Sequence, residues 1–384
     1  MALARWQLHR RIAFLVVTRA GSSARGLVLG VMSATAFVSM WVSNTSTTLM
    51  MLPVAVSIAA IVAPEHGAAD GARRNFSTVI VLGIAYAATI GGVATLIGTP
   101  TNALAVAFME QTYGVRPSFG EWLIFGLPCT LLLLPLTWWV MVRWTHPFDL
   151  PDISGARELV RAELKALGPM TVPEKRVAAV GLAAAVAWIT SPWLKAVPGL
   201  GDLSDMGIAM LAGLALFVLP AGGGHGGQLL AGEDFRRVPW DTLFLFGGGL
   251  ALAALIQDSG LSGHIGELLI GIAGWPPLAV TAVVVLVILF WTELTSNVAT
   301  AATFMPVLAA MATATGQPVI ELLAPAAVAA SCAFMLPVGT APNAIVYGSG
   351  RVRIRDMMRA GFVVDILGWG VIMAVASATL RWLV

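Results

Sequence analysis

Long apolar runs alternate with short polar breaks along this chain, and the breaks come in two matching pairs. Residues 26–42 and 46–63 are apolar limbs of 17 and 18 residues, split by Ser43-Asn44-Thr45. A membrane-spanning helix needs about 20 apolar residues. Each limb is therefore marginal for crossing, and two short limbs meeting at a polar tip predict a re-entrant hairpin. Residues 276–294 and 298–314 repeat the pattern around Ser296-Asn297-Val298. A second break follows each hairpin. The span 76–97 is interrupted at Gly98-Thr99-Pro100-Thr101-Asn102 and resumes to about 112, and the half-span 322–338 is interrupted at Gly339-Thr340-Ala341-Pro342-Asn343 and resumes to about 349. Polar, helix-breaking residues are costly at membrane depth unless they line a cavity. Two such breaks in each half are the pattern of an inverted-repeat transporter.

The remaining segments fall around these. Residues 1–23 predict an interfacial amphipathic helix with Arg10, Arg11 and Arg19 on a basic face. Residues 24–142 form the first repeat: hairpin, broken helix and a following span at 121–142. Residues 143–176 are a cytoplasmic connector, where Arg157, Glu158, Arg161, Glu163 and Lys165 at helical spacing predict a solvated helix. Residues 177–274 supply scaffold helices of the second repeat, with spans at 177–194, 205–220 and 240–257 and a Gly-rich stretch at Asp258–Gly274. Residues 275–384 hold the second hairpin, its broken helix and the last span. The fold class is an all-α polytopic membrane protein: an inverted repeat with two re-entrant hairpins and two broken transmembrane helices.

Composition supports lipid as the main solvent. Of 384 residues 58% are hydrophobic and 11% charged, against about 25% charged in soluble domains. The net charge of +2 is informative only by position. If the first hairpin opens inside and the second outside, 19 of the 22 Lys and Arg residues fall inside, and only Arg116, Lys195 and Arg381 outside. The two halves therefore read as oppositely oriented. Only 42 residues precede Ser43, whereas about 120 separate the connector from Ser296. That shortfall predicts a truncated start or a reduced scaffold.

Other chemistry finds little support. Cys129 and Cys332 sit in apolar context and suggest no disulfide. Gly199-Leu200-Gly201-Asp202 spells a GxGD motif, but it lies in a Pro/Gly loop without a Tyr-Asp partner. His225 within Gly222–Gly227 reads as a linker, and Trp138, Trp139 and Trp144 as an interfacial belt. No P-loop, HExxH or G-x-S-x-G string occurs, so the chain is not read as an enzyme. Glu293 and Asp365 are intramembrane acids. Glu293 is read as a structural acid bracing its hairpin, and Asp365 as paired near the inner interface. Proton relay through either is the mechanistic rival.

The strings Ser-Met-Trp-Val-Ser-Asn-Thr (39–45), Ile-Gly-Thr-Pro-Thr-Asn (97–102), Thr-Glu-Leu-Thr-Ser-Asn-Val-Ala-Thr (292–300) and Gly-Thr-Ala-Pro-Asn-Ala-Ile-Val-Tyr-Gly-Ser-Gly (339–350) occur in this order. Together they resemble the divalent anion:sodium symporter family, the dicarboxylate and citrate carriers of the INDY type, over essentially the whole chain. The resemblance implies two hairpins, a homodimer, an elevator-like motion and Na⁺ as coupling ion, and that helices ahead of residue 1 are absent here. It also implies one sodium site at Ser39, Ser43, Asn44 and Gly98, and another at Thr292, Thr295, Asn297 and Gly339. Val298 departs from the usual Thr of the second triplet. Thr101 and Ala341 replace a proline or a proline neighbour.

Residue chemistry agrees with such a carrier. Na⁺ wants several oxygen ligands. Ser39 and Ser43, like Thr292 and Ser296, are four apart, which would stack each pair on one helical face. No Lys or Arg lies near any break. An anion would have to be held by helix N-termini, hydroxyl and amide donors and the bound cations. The anion is expected among Ser43, Asn44, Thr45, Thr99, Pro100, Ser296, Asn297, Val298 and Thr340, with Asn102 and Asn343 tying the broken loops together. The function expected is Na⁺-coupled symport of C4-dicarboxylates in a bacterial plasma membrane. The alternatives are Na⁺-independent exchange, citrate or sulfate carriage, and a non-transporting remnant.

Overall fold

The computed structural model describes residues 1–19, 23–62, 71–150, 154–195, 197–199, 203–238 and 274–380, with scattered positions from 240 to 260. Much of the expected 64–75 loop, more than half of the 240–257 span, most of Asp258–Gly274, three residues of the GxGD string and the last four residues lie outside the described residues.

The first repeat is built from α3 (Ala24–Ser39), α4 (Asn44–Val62), α5 (Gly71–Val93), α6 (Pro100–Tyr113) and α7 (Phe119–Val140). Ahead of it lie α1 (Ala2–Arg5) and α2 (Leu8–Thr18). Between α7 and the second hairpin come α8 (Ser154–Ala166), α9 (Val172–Leu194), α10 (Asp205–Val218) and a short hairpin of β1 (Pro220–Gly222) and β2 (His225–Gln228). The second repeat runs α11 (Pro277–Thr292), α12 (Asn297–Thr315), α13 (Val319–Ser331), α14 (Ala341–Gly348) and α15 (Ile354–Thr379). Among the described residues α4, α5, α7, α12 and α15 contain stretches long and apolar enough to cross a membrane.

The packing is that of an inverted repeat with exchanged halves. Within each repeat the hairpin limbs flank the first part of the broken helix, α3 and α4 on α5, α11 and α12 on α13. The second part of each broken helix crosses to the other repeat: α6 packs on α12 and α13, α14 on α4 and α5. The closing spans α7 and α15 pack on each other. Each also presses a glycine onto the opened segment of its own repeat. A side chain at Gly126 would collide with the Val93 carbonyl, and one at Gly361 with the Phe334 carbonyl.

Local chemistry sets the helix ends. Ser118 with Glu121, and Thr171 with Glu174, form capping boxes at the starts of α7 and α9. Pro100 and Pro342 open α6 and α14, where a missing N–H costs nothing. Both broken helices open earlier than the sequence pattern suggests: α5 ends at Val93 and α13 at Ser331, well before Gly98 and Gly339. Three details correct the sequence reading. Arg11 leaves the expected basic face and is buried against Glu174, with Nε 3.0 Å from the carboxylate. The Gly222–Gly227 stretch is a β-hairpin whose turn needs positive φ at Gly222, Gly223 and Gly224. The 205–220 span stops at Val218 because the chain turns extended there.

Candidate functional site

The two hairpin tips are built alike. The Ser39 hydroxyl donates to Asn44 Oδ1 at 2.7 Å, and the Thr292 hydroxyl donates to Asn297 Oδ1 at 3.0 Å. After each asparagine a helix begins: Thr47 N–H bonds the Ser43 carbonyl at 3.0 Å, and Thr300 N–H bonds the Ser296 carbonyl at 2.8 Å. Because α3 ends at Ser39 and α11 at Thr292, the expected stacking of Ser39 with Ser43, and of Thr292 with Ser296, on one helical face does not occur. Ser39 and Thr292 are buried, whereas Ser43, Thr45 and Ser296 are exposed at the tips. The Thr295 hydroxyl hydrogen-bonds the Thr300 hydroxyl at 2.6 Å, and Val298 is half-buried.

Each asparagine is seated on the broken helix of its own repeat. Asn44 covers Gly92, where any side chain would overlap its carboxamide, and Gly98 folds back against the Gly92 carbonyl. Gly92 thus brings Asn44 and Gly98 together. Asn297 donates from Nδ2 to the Ser331 carbonyl at 3.1 Å, and the Thr292 hydroxyl reaches the Ala330 carbonyl at 2.8 Å.

The opened segments are held by the asparagines that follow them. Asn102 Nδ2 donates to the Thr95 carbonyl at 2.9 Å and the Val93 carbonyl at 3.2 Å. Asn343 Nδ2 donates to the Leu336 carbonyl at 3.0 Å and the Ala333 carbonyl at 3.1 Å. In both, Oδ1 is buried without a hydrogen-bond partner among the described residues. Thr340 caps α14 by accepting the Asn343 N–H at 3.2 Å, and Thr99 meets the Thr101 hydroxyl at 3.2 Å. Pro100 is exposed beside buried Thr99.

Two links across the site carry no obvious sequence signal. Thr101 hydrogen-bonds the Ser331 hydroxyl, joining the start of α6 to the end of α13, and both residues are buried. Tyr86 on α5 donates to the Phe334 carbonyl at 2.6 Å, so the first repeat also holds the opened segment of the second. Asn297, Ser331, Thr101 and Thr99 therefore form one connected polar path between the two halves. Within it, Ser331 is an isolated serine in an alanine-rich helix and gives no warning in the sequence.

Glu293 places its carboxylate in the second opened segment, accepting amides from Met335 and Leu336 at 2.8 Å each and from Phe334. Asp365 is not paired near an interface: it is buried on α15 facing Glu293, and no cation reaches it among the described residues. The free thiols of Cys129 and Cys332 are both buried.

The donor set around both tips is all oxygen: hydroxyls, carboxamides and carbonyls freed where helices open. That suits a hard alkali cation. No Lys or Arg occurs in residues 26–72, 75–115 or 238–350, which contain all four breaks. The positive ends of α4, α6, α12 and α14 and any bound cation are the charges available to an anion.

Comparison with known proteins fits this architecture. Residues 1–384 match the model of the sodium:sulfate symporter transmembrane region. A sodium-dependent dicarboxylate transporter SdcS of Staphylococcus saprophyticus is 40% identical over 380 residues, 98% of this chain and 73% of that protein. The SdcS of Staphylococcus aureus strain USA300 is 38% identical over 374 residues, 96% of this chain and 71% of that one. Among solved structures, the Alcanivorax borkumensis YdaH transporter, described as having an unusual topology, matches with TM-score 0.60 at 14% identity, covering 99% of this chain and 84% of its own.

Proposed function

The chain belongs to the sodium:sulfate symporter transmembrane family, and from that membership we propose that it is a secondary transporter coupling Na⁺ entry to uptake of C4-dicarboxylates such as succinate, malate or fumarate across a bacterial plasma membrane. The observation that carries this reading is the pair of equivalent, oxygen-only hairpin tips in stretches without a basic side chain. A dianion at membrane depth needs positive charge nearby. With no guanidinium or ammonium at hand, bound sodium ions and helix N-termini have to provide it, so anion binding depends on the cation.

In this reading one sodium ion is held by Ser39, Ser43, Asn44 and the chain at Gly98, and another by Thr292, Thr295, Asn297 and the chain at Gly339. The buried hydroxyls of Ser39 and Thr292 orient the carboxamide oxygens toward these positions. The exposed Ser43, Thr45 and Ser296, with Thr99, Pro100, Val298 and Thr340, surround the anion. Glu293, Asn102 and Asn343 keep the opened segments in shape. The two hairpins and broken helices move together as an elevator-type transport domain, with 177–274 as scaffold. A homodimer belongs to the same proposal, since α9 and α10 leave Leu182, Trp193, Met210 and Val218 exposed for lipid or a second copy.

The test is uptake of labelled succinate into vesicles reconstituted with the protein. Accumulation under an inward Na⁺ gradient is expected, with little under choline. Equal uptake in choline would remove the sodium coupling, and counterflow without Na⁺ would replace symport by exchange.

A further inference from the structure

We propose that the recess between α2, the start of α3 and the end of α7 binds the headgroup of an anionic phospholipid of the inner leaflet. Its wall on the first hairpin limb runs from Ser23 to Ser33 and stops short of the tip at Ser39–Asn44, and it serves neither sodium nor dicarboxylate.

The recess has a volume of about 590 Å³, within the range of pockets that enclose small ligands. Arg19, Arg25 and Arg143 line it, with Ser23, Trp138 and Asp149. The three guanidiniums are differently placed. Arg25 is fixed, donating twice to the Phe148 carbonyl at 2.8 and 3.2 Å, while Trp138 Nε1 donates to the Arg25 carbonyl at 2.9 Å. Arg19 is exposed and reaches only the Leu15 carbonyl of its own helix at 3.2 Å. Arg143 is exposed and has no hydrogen bond or ion pair among the described residues. The one acid in the wall, Asp149, stands 3.8 Å from Arg25 with its side chain 98% exposed, too solvated to neutralise the group. Even with Asp149 counted in full, the three guanidiniums leave a formal charge of +2 in the wall. The first turn of α3 forms part of the same wall, with Ser23 Oγ accepting the Gly26 N–H at 3.0 Å, and the positive end of the helix adds to the field.

The setting selects a lipid. Trp139 and Trp144 beside the recess are 51% and 60% exposed, as tryptophans at headgroup level are. From there α7 presents Leu131, Leu132 and Leu136 outward, a surface for an acyl chain leading away from the recess. The side that carries most of the basic residues is also the one facing the anionic leaflet.

The test uses the full chain in mild detergent with added phosphatidylglycerol or phosphatidylcholine, and retained lipid read by native mass spectrometry. Wild type is expected to keep one phosphatidylglycerol in preference to phosphatidylcholine. Arg19→Gln and Arg143→Gln should each weaken retention about fivefold, the worth of one arginine near a charged surface. Arg353→Gln, outside the recess, should change nothing. Ser33→Trp fills the recess without altering charge and should also abolish retention, which covers the case of a misfolded arginine variant. A photoreactive phosphatidylglycerol should label residues 138–150. Equal retention of the two lipids, or arginine variants that bind as wild type does, would overturn the proposal. So would displacement by millimolar glycerol phosphate, which would make this a site for soluble phosphate anions.

Discussion

Glu293 Oε2 accepts the backbone N–H of Leu336 at 2.8 Å, and the same carboxylate takes the amides of Met335 and Phe334. The equivalent contact in the first repeat joins the Thr95 hydroxyl to the Met40 carbonyl at 2.6 Å. One repeat thus holds its opened segment by a backbone oxygen, the other by a carboxylate satisfying three donors. The acid next to the second tip acts as a brace that replaces helical carbonyls.

Glu293→Ala should leave three amides without that acceptor, the buried one at Phe334 costing about 1–3 kcal/mol and the half-buried ones at Met335 and Leu336 less. The expected outcome is a large drop in thermal stability together with loss of transport. Glu293→Gln keeps one acceptor oxygen and should fall between. Thermal unfolding in detergent, followed by tryptophan fluorescence, measures both. Equal stability of all three proteins would contradict the brace.

Gly92→Ala should disable the first tip without unfolding the protein. The added methyl falls on the Asn44 carboxamide, a side chain that can swing away. The half-saturating Na⁺ concentration should rise by about tenfold, a loss of roughly 1.4 kcal/mol in sodium affinity. Gly83→Ala, whose methyl meets only the flexible Met32 side chain at 3.1 Å, should behave as wild type. The half-saturating Na⁺ concentration for succinate uptake compares the two.

Asn44→Ala and Asn297→Ala should raise the Na⁺ requirement more than they lower stability, because both asparagines are only half-buried at the tips. Asn102→Ala and Asn343→Ala should do the reverse, since each releases two carbonyls of an opened segment. Paired measurements of melting temperature and Na⁺ titration separate the groups. If all four simply abolish expression, the tips are hydrogen-bonding glue.

The clasp between α2 and α9 should loosen in acid. Burial by itself would raise the Glu174 carboxyl, but hydrogen bonds from Arg11 and the Thr171 amide outweigh it and leave the group below its ordinary value. A depressed carboxylate contributes stability that is fully present above the unfolded value of roughly 4.3 and is lost as pH falls through the folded one. Protection of α2 from proteolysis should therefore decline below about pH 4.3. Glu174→Gln should show weaker protection at neutral pH and no such decline.

Thr101→Val should uncouple the two halves at their buried hydroxyl link to Ser331. The cost expected is about 1–2 kcal/mol of stability, from a Ser331 hydroxyl left without that partner. Thr101→Ser, which keeps the bond, should restore it, as melting temperatures would show.

The sequence by itself determined the solvent, the repeat and its inversion. Largely apolar limbs of 17 or more residues on either side of each Ser-Asn pair, in a chain with 11% charged residues, point to lipid, and basic residues distributed to one side orient the halves oppositely. The motifs were enough to identify the family, because four polar strings in one order, each expensive in lipid, are hard to arrange by chance. Only the tertiary structure decided where the helices open and what holds them open. Gly339 and Gly98 mark the breaks, but α13 already ends at Ser331 because Glu293, distant along the chain, captures the amides that would have continued it. The exchange of α6 and α14 between repeats, the Thr101–Ser331 link and the burial of Arg11 likewise depend on contacts between residues far apart in sequence. Periodicity reports which face of a helix is apolar; it carries no information about which distant polar group will meet a helix end.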